Sequence, residues 1–335
     1  MENKELHTEI AYLFTSYFKE NIERYEEIPA SGSTRSYYRI YSKLPFTVIA
    51  AYGADVAENN SFIYFAQYFH MHGLHVPHVY TFNKSRTIYL QSDVGSIDVL
   101  TYKKACDEQE QRSIYKRIIR DLLNFQFVGA EADFSYCFVR NVFDRQAMKW
   151  DLAYFKYYYL KLSGSECNDQ KLEEDFDTLI SFLEQADASY FMFRDFQARN
   201  ILIDSRKRLS YIDFQGGMKG PLQYDLASLL FQAKADLSDT MREELLHYYC
   251  NELQKRVEFD VDEFISHFYG FVFIRMLQTL GAYGYRGLIE KKEHFVTSIP
   301  FAVENVKTYA KKLPQTLYIP YLNSLLRNLP TITEI

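Results

Sequence analysis

One short β-rich island, from Phe191 to Asp213, interrupts a region otherwise patterned as long amphipathic helices, and it constrains the fold more than any other feature. Ile201-Leu202-Ile203 and Leu209-Ser210-Tyr211-Ile212 read as two strands around the polar turn Asp204-Ser205-Arg206-Lys207. On either side the spacing is helical. Ile114, Ile118, Leu122 and Phe125 mark one apolar stripe, and Leu172, Phe176, Leu179 and Leu183 mark another. A hairpin set among helices brings whatever its two ends carry to one place.

The chain ahead of residue 93 is patterned differently. Leu6, Ile10, Leu13, Phe14 and Tyr17 fall at helical spacing. After Pro29 comes the polar turn Ala30-Ser31-Gly32-Ser33-Thr34, then Tyr37 to Tyr41 and Phe46 to Ala51, both strand-like in their β-branched and aromatic content. Glu58 to Phe69 returns to helical spacing through Phe62, Phe65, Ala66 and Phe69, before Gly73 and Pro77 break the chain ahead of a strand from Thr87 to Leu90. The expected architecture is α+β: residues 1–92 form a small antiparallel sheet with one packed helix, and residues 93–335 form a larger, mainly helical lobe.

Composition narrows the function classes. Hydrophobic residues at 47% and charged residues at 24% supply a sizeable core, and a formal charge of −6 offers no general field for a nucleic-acid backbone or an anionic membrane. Cys106, Cys137, Cys167 and Cys250 form no C-x-x-C pair, so neither a zinc site nor a disulfide framework is signalled. No apolar run approaches the ~18 residues needed to span a bilayer, and the amino terminus lacks an apolar targeting segment, so a cytoplasmic protein is expected. Nothing in the pattern speaks to oligomeric state.

The ends of the island carry the candidate chemistry. Asp195 and Asn200 stand in the segment Phe193-Arg194-Asp195-Phe196-Gln197-Ala198-Arg199-Asn200, and Asp213 follows the second strand in Ile212-Asp213-Phe214-Gln215. Phosphoryl transfer from ATP asks for a base facing a hydroxyl and for hard oxygen ligands that hold Mg²⁺ on the phosphates. Asp195 is the candidate base, and Asn200 and Asp213 are the candidate ligands. Taken alone, the R-D-x-x-x-x-N string also reads as a capped loop, and the second acidic segment on the partner strand is what favours a site. The loop Ser31-Gly32-Ser33 suits phosphate oxygens and equally suits a plain turn between strands.

Three other features read as structural. His70, His72, His75 and His78 end a helix amid Gly73 and Pro77 and lack an i, i+4 pair with a carboxylate, so they are expected to be helix-end and loop residues. Tyr157-Tyr158-Tyr159, at the end of a long helix, suits stacking against a substrate ring, but an aromatic stripe at helical spacing reads first as core. Asp225, after Gly220-Pro221, is typed for a helix N-cap that fastens the metal-bearing segment.

The ordered set Asp195, Asn200, Ile212-Asp213-Phe214, Gly220-Pro221 and Asp225-Leu226-Ala227 resembles the aminoglycoside phosphotransferase and choline-kinase-like family, which shares the bilobal protein-kinase fold. Within it the chain looks most like bacterial anomeric kinases for N-acetylmuramate and N-acetylglucosamine. The supporting segments include Glu58-Asn59-Asn60, Asp93-Val94-Gly95 and Phe143-Asp144-Arg145. The resemblance implies ATP and Mg²⁺ as cofactors and a small-molecule acceptor. It places Ser31, Gly32, Ser33 and Thr34 over the phosphates, Gln91, Ser92 and Asp93 at a hinge beside adenine, and the substrate between the catalytic loop and the helices after Phe143, where Arg145 and Asp151 are the candidate substrate contacts. Two departures stand out. The strand Thr47 to Ala51 lacks the phosphate-binding lysine, for which Arg39 is the expected substitute, and Phe193 stands where the family usually has His. A kinase for choline or an aminoglycoside, a catalytically weak binding module and a protein kinase are the competing readings; the last lacks an A-P-E-like segment after Gln215.

Overall fold

A computed structural model describes residues 3–29 and 35–333. In chain order the elements are α1 (Asn3–Phe18), β1 (Ile22–Ile28), β2 (Ser36–Ser42), β3 (Val48–Tyr52), α2 (Val56–Met71), β4 (Val79–Phe82), β5 (Ile88–Ser92), α3 (Val99–Tyr102), α4 (Glu108–Gly129), α5 (Arg145–Phe155), α6 (Asp169–Leu183), β6 (Tyr190–Met192), β7 (Ile201–Ile203), β8 (Leu209–Tyr211), β9 (Met218–Gly220), α7 (Leu222–Leu230), α8 (Asp239–Leu253), α9 (Val261–Gly284), α10 (Glu293–Val296), α11 (Ile299–Tyr309) and α12 (Pro320–Arg327). The α+β class expected from the pattern is the one observed. No described helix is long and apolar enough to cross a membrane.

The chain divides into two compact units. One comprises residues 1–114, 124–141 and 193–218, and the other residues 115–123, 142–192 and 219–335. In the first unit a five-stranded antiparallel sheet runs in the order β1-β2-β3-β5-β4. Alternation gives it two distinct faces. Tyr38 and Ile40, Val48 and Ala50, and Ile88 and Leu90 point to one side, where the α1 stripe Leu6, Ile10, Leu13 and Phe14 buries against them. The opposite face carries Tyr37, Arg39, Ile49, Ala51, Tyr89 and Gln91, with Arg39, Ile49 and Gln91 directly across from one another.

Helix α2 reaches that second face through Phe62, whose ring stacks on Tyr89 at 5.0 Å. Its start is fixed by Asp55, which accepts from the backbone N–H groups of Ala57 and Glu58, and its end by Gly73 at φ +76°. The β7–β8 hairpin belongs to the same unit. Tyr211 N donates to His75 O at 2.9 Å, and Ile203 N donates to Ile97 O at 2.9 Å.

Three expectations need correction. The sheet has two strands beyond those expected, β1 and β4, and they form its two edges. Asp225 is not an N-cap: α7 starts after Pro221, and Asp225 lies buried in its first turn. The run Tyr157-Tyr158-Tyr159 sits in a π-helical turn, Lys156–Leu160, which leaves Tyr157 exposed and buries Tyr159. The loop Ser31-Gly32-Ser33-Thr34 lies outside the described residues.

In the second unit α9 is the central helix, buried along most of its length. Gly281 and Gly284 bring it against the backbone of α5 and the following turn: a Cβ on Gly284 would sit 1.9 Å from Tyr158 O. Side chains are excluded at that contact.

Candidate active site

The hairpin places the candidate residues by its register. Ile201 pairs with Tyr211, and Ile212 N donates to Asn200 O at 3.0 Å, so Asp213 follows directly beside Asn200. The turn that sets this register is closed by Asp204, whose carboxylate accepts from Arg206 N and Arg208 N, with Lys207 at φ +59°.

Asn200 is the connecting side chain. Its Nδ2 donates to Asp195 O at 2.9 Å and to Asp213 Oδ2 at 3.1 Å. Gln197 Nε2 donates to Asp195 Oδ1 at 3.2 Å and orients that carboxylate. The three residues singled out for chemistry thus meet in one place. Arg194 at φ +74° and Asp213 at φ +69° hold left-handed backbone without being glycine, a conformation costing about 1 kcal/mol or more each. Strained backbone on both sides of Asn200 marks geometry that packing enforces.

That packing is aromatic. Phe193, where the family it resembles usually has His, is buried with its ring against Phe125 at 5.6 Å, Phe196 at 5.2 Å and Phe214 at 5.9 Å. Ring contacts thus replace the hydrogen-bonded support that a histidine would lend the loop. On the far side Phe214 stacks on Phe62 of α2 at 4.9 Å and 10°, and Ser61 Oγ donates to Gln215 O at 2.8 Å.

Burial pushes the Asp213 carboxyl above its ordinary range, and the neighbouring Asp195 charge pushes it the same way, against the opposing pull of the Gln215 hydrogen bond, Arg199 and Arg35. The carboxylate oxygens of Asp213 and Asp195 and the amide oxygen of Asn200 are hard ligands of the kind a divalent cation takes. Among the described residues no group of three His, Cys, Asp or Glu side chains forms a closed metal cage. A cation bound to this set would take its remaining ligands from phosphate oxygens or water, as Mg²⁺ does.

The other expected residues fall elsewhere. Asp93 accepts from Arg39 Nε at 2.6 Å, from Thr47 Oγ1 at 2.6 Å and from Gly95 N at 3.0 Å. Burial alone would raise its pKa, but these hydrogen bonds and the Arg39 charge hold it below the ordinary value. Ser92 Oγ accepts from His78 N at 2.9 Å. Gln91 is buried, and its Oε1 has no hydrogen-bond partner among the described residues. Arg145 and Asp151 lie in the second unit, on α5. The Arg145 guanidinium donates to Glu184 Oε2 at 2.6 and 3.0 Å, to Asp177 at 3.1 Å and to Ser181 Oγ at 2.7 Å, all on α6 or at its end.

Comparison with known proteins decides the family, since residues 24–259 match the phosphotransferase enzyme family. The chain belongs to the phosphotransferase enzyme family. Over 201 residues this phosphotransferase is 26% identical to the N-acetylmuramate/N-acetylglucosamine kinase of Neisseria meningitidis serogroup B, a stretch spanning 58% of each chain. A choline/ethanolamine kinase family protein from Mesorhizobium loti superposes with a TM-score of 0.63 at 14% identity, covering 97% of this chain and 100% of that one. The choline kinase LicA of Streptococcus pneumoniae gives a TM-score of 0.60 at 14% identity, covering 91% of this chain and 100% of its own, and it has also been solved with AMP. These structural likenesses establish a kinase-like fold.

Three residues around this phosphotransferase's site are not singled out by the sequence pattern. Arg35 stands in no recognisable motif, and Glu58 and Gln215 enter only inside supporting segments. Gln215 Nε2 donates to Asp213 Oδ1 at 2.8 Å and lies 3.4 Å from Glu58 Oε1, which pairs with Arg35 at 3.1 Å. No local spacing signals such contacts.

Proposed function

We propose that this protein transfers the γ-phosphoryl group of ATP to a hydroxyl of a small molecule, specifically the anomeric hydroxyl of an amino sugar such as N-acetylmuramate or N-acetylglucosamine. The observation that carries the reading is Asn200 bonded at once to the Asp195 backbone and the Asp213 carboxylate. Asp195, oriented by Gln197, is the base that receives the acceptor's proton, and Asp213 with Asn200 holds Mg²⁺. The ion, when bound, neutralises charge that builds on the phosphate oxygens. A carboxylate can serve as base because bond formation to the acceptor is late in a loose transition state, so positioning supplies most of the acceleration.

The nucleotide is assigned to the strip of Gln91, Ser92 and Asp93 with Arg39, and to residues 31–34 over the phosphates. The orphaned Gln91 Oε1 supports the assignment, since the exocyclic amine of adenine is a donor that fits a buried acceptor. Arg145 and Asp151 remain the assigned substrate contacts. Residues 1–92 form the nucleotide lobe and 93–335 the catalytic and acceptor lobe, in a protein that works in the cytoplasm. The amino-sugar assignment draws support from the meningococcal relative.

The test is to incubate the protein with Mg-ATP and a panel of amino sugars, choline and aminoglycosides, following ADP release and the phosphorylated product by ³¹P NMR. An amino sugar should give ADP and a sugar 1-phosphate, and Asp195→Asn should lower turnover by ~10²–10⁴-fold while the chain still folds. ADP release with choline or an aminoglycoside alone would remove the sugar assignment, and none with any acceptor would remove the transfer reading.

A further inference from the structure

Phosphoryl transfer asks for a fixed cation near the phosphates besides the metal. Strand β3 supplies none, being Val48-Ile49-Ala50-Ala51-Tyr52. The guanidinium of Arg39 is engaged by Asp93 at 2.6 Å and by Glu26 at 3.6 Å.

A different arginine is connected to the metal-holding segment. Arg35, immediately before β2, has a side chain only 1% exposed and places Nη2 3.1 Å from Glu58 Oε1 on α2. Its stem passes over Gly53, just beyond β3, where a Cβ would lie 3.3 Å from Arg35 Cγ. The bare glycine leaves room there for the Arg35 stem and for Asn59, whose Oδ1 would lie 2.6 Å from such a Cβ. The same Glu58 oxygen lies 3.4 Å from Gln215 Nε2, which donates to Asp213 Oδ1 at 2.8 Å. Arg35 also lies over the Phe62 ring at 5.9 Å, and Phe62 stacks on Phe214. A connected path of charge and hydrogen bond therefore runs from Arg35 through Glu58 and Gln215 to the carboxylate assigned to Mg²⁺.

A buried ion pair is weak evidence for stability, because desolvation offsets most of its attraction and an apolar replacement is often neutral. The value of this pair is geometric. We propose that Arg35, paired with Glu58, is the positioning cation of this site: it fixes α2 against Gln215 and so sets the orientation of the metal-holding Asp213. The inference rests on the phosphotransferase reading above.

The experiment uses the full chain without turnover. Thermal stabilisation by ADP is measured as Mg²⁺ is titrated, for the wild type, Arg35→Met, Arg35→Lys, Glu58→Gln and the Arg35→Met/Glu58→Gln double variant. Arg35→Met should raise the half-saturating Mg²⁺ by about tenfold, a loss of the size expected for a charge-assisted contact. Arg35→Lys, which keeps the charge, should recover part of this and serves if Arg35→Met does not fold. The double variant should be no worse than the more affected single variant, since the two residues act as one unit. Stabilisation by adenosine, which has no phosphate to bring a metal, should stay within about twofold in every variant. An unchanged Mg²⁺ requirement in Arg35→Met, strictly additive effects, or a larger effect from Arg39→Met would overturn the inference while leaving the function standing. A wild-type chain with no Mg²⁺-dependent ADP stabilisation would overturn both.

Discussion

Replacing Phe62 by Leu separates the cost of packing from the cost of losing site geometry. Phe62 is buried, and its ring is sandwiched between Phe214 at 4.9 Å and Tyr89 at 5.0 Å, with interplanar angles of 10° and 24°. Leucine keeps most of the apolar volume but forfeits two aromatic pairs, each worth ~0.5–1.5 kcal/mol beyond area burial. Shape mismatch adds less than about 1.5 kcal/mol. Together they give a destabilisation of about 1–4.5 kcal/mol, readable by urea unfolding followed by circular dichroism.

The comparison variant is Phe14→Leu, on α1 against the other face of the same sheet, fully buried and paired with Phe18 at 4.9 Å. With one aromatic pair instead of two, its stability loss should be about 0.5–3 kcal/mol, overlapping that of Phe62→Leu. Only Phe62→Leu removes the stacked contact between α2 and the Asp213-Phe214-Gln215 segment. At a temperature well below both unfolding transitions, Phe62→Leu should therefore lower kcat and raise the Mg²⁺ requirement, while Phe14→Leu leaves both near the wild-type values. Equal kinetic effects from the two variants, or none from Phe62→Leu despite a measured stability loss, would refute the claim that α2 positions the metal-holding segment.

Two further outcomes follow from the packing and the charges. Gly284→Ala should prevent the close approach of α9 to the turn after α5, because its Cβ would meet backbone Tyr158 O, which cannot rotate away; a loss of at least ~1–3 kcal/mol is expected, measured by thermal unfolding. Asp93 has a folded pKa below its unfolded value of 3.8, so its contribution is complete above that value and is lost as pH falls through the lower folded pKa. The stability difference between wild type and Asp93→Asn should thus be largest near neutrality and shrink below about pH 4 in acid titrations of unfolding.

The parts of this fold that are legible in sequence are those whose signals are local. Helices α1 and α2 follow from apolar spacing and from the Gly73 stop. The β7–β8 hairpin follows from its polar turn, and with it the meeting of Asp195, Asn200 and Asp213. Edge strands are harder to read. β1, Ile-Glu-Arg-Tyr-Glu-Glu-Ile, is charged as an edge strand exposed to water tends to be, and that charge masks its alternation. β4 is only four residues long. Asp225 has the residue type of an N-cap, yet Pro221 already starts the helix, and local preference alone does not choose between the two. The pairing of Arg35 with Glu58, and of Glu58 with Gln215 across 157 positions of chain, depends on how β2, α2 and the hairpin pack, which spacing does not encode. The left-handed backbone at Arg194 likewise carries no signal in its residue type, whereas Asp213 is of a type that visits that region more readily.

The central claim is that Asp213 and Asn200 hold a divalent ion on the nucleotide. Electron paramagnetic resonance of Mn²⁺, standing in for Mg²⁺, measures this directly: free Mn²⁺ should fall when ADP and the wild-type protein are both present, and Asp213→Asn should weaken that uptake by about tenfold or more while circular dichroism stays unchanged. Uptake that is the same in wild type and Asp213→Asn would contradict the account.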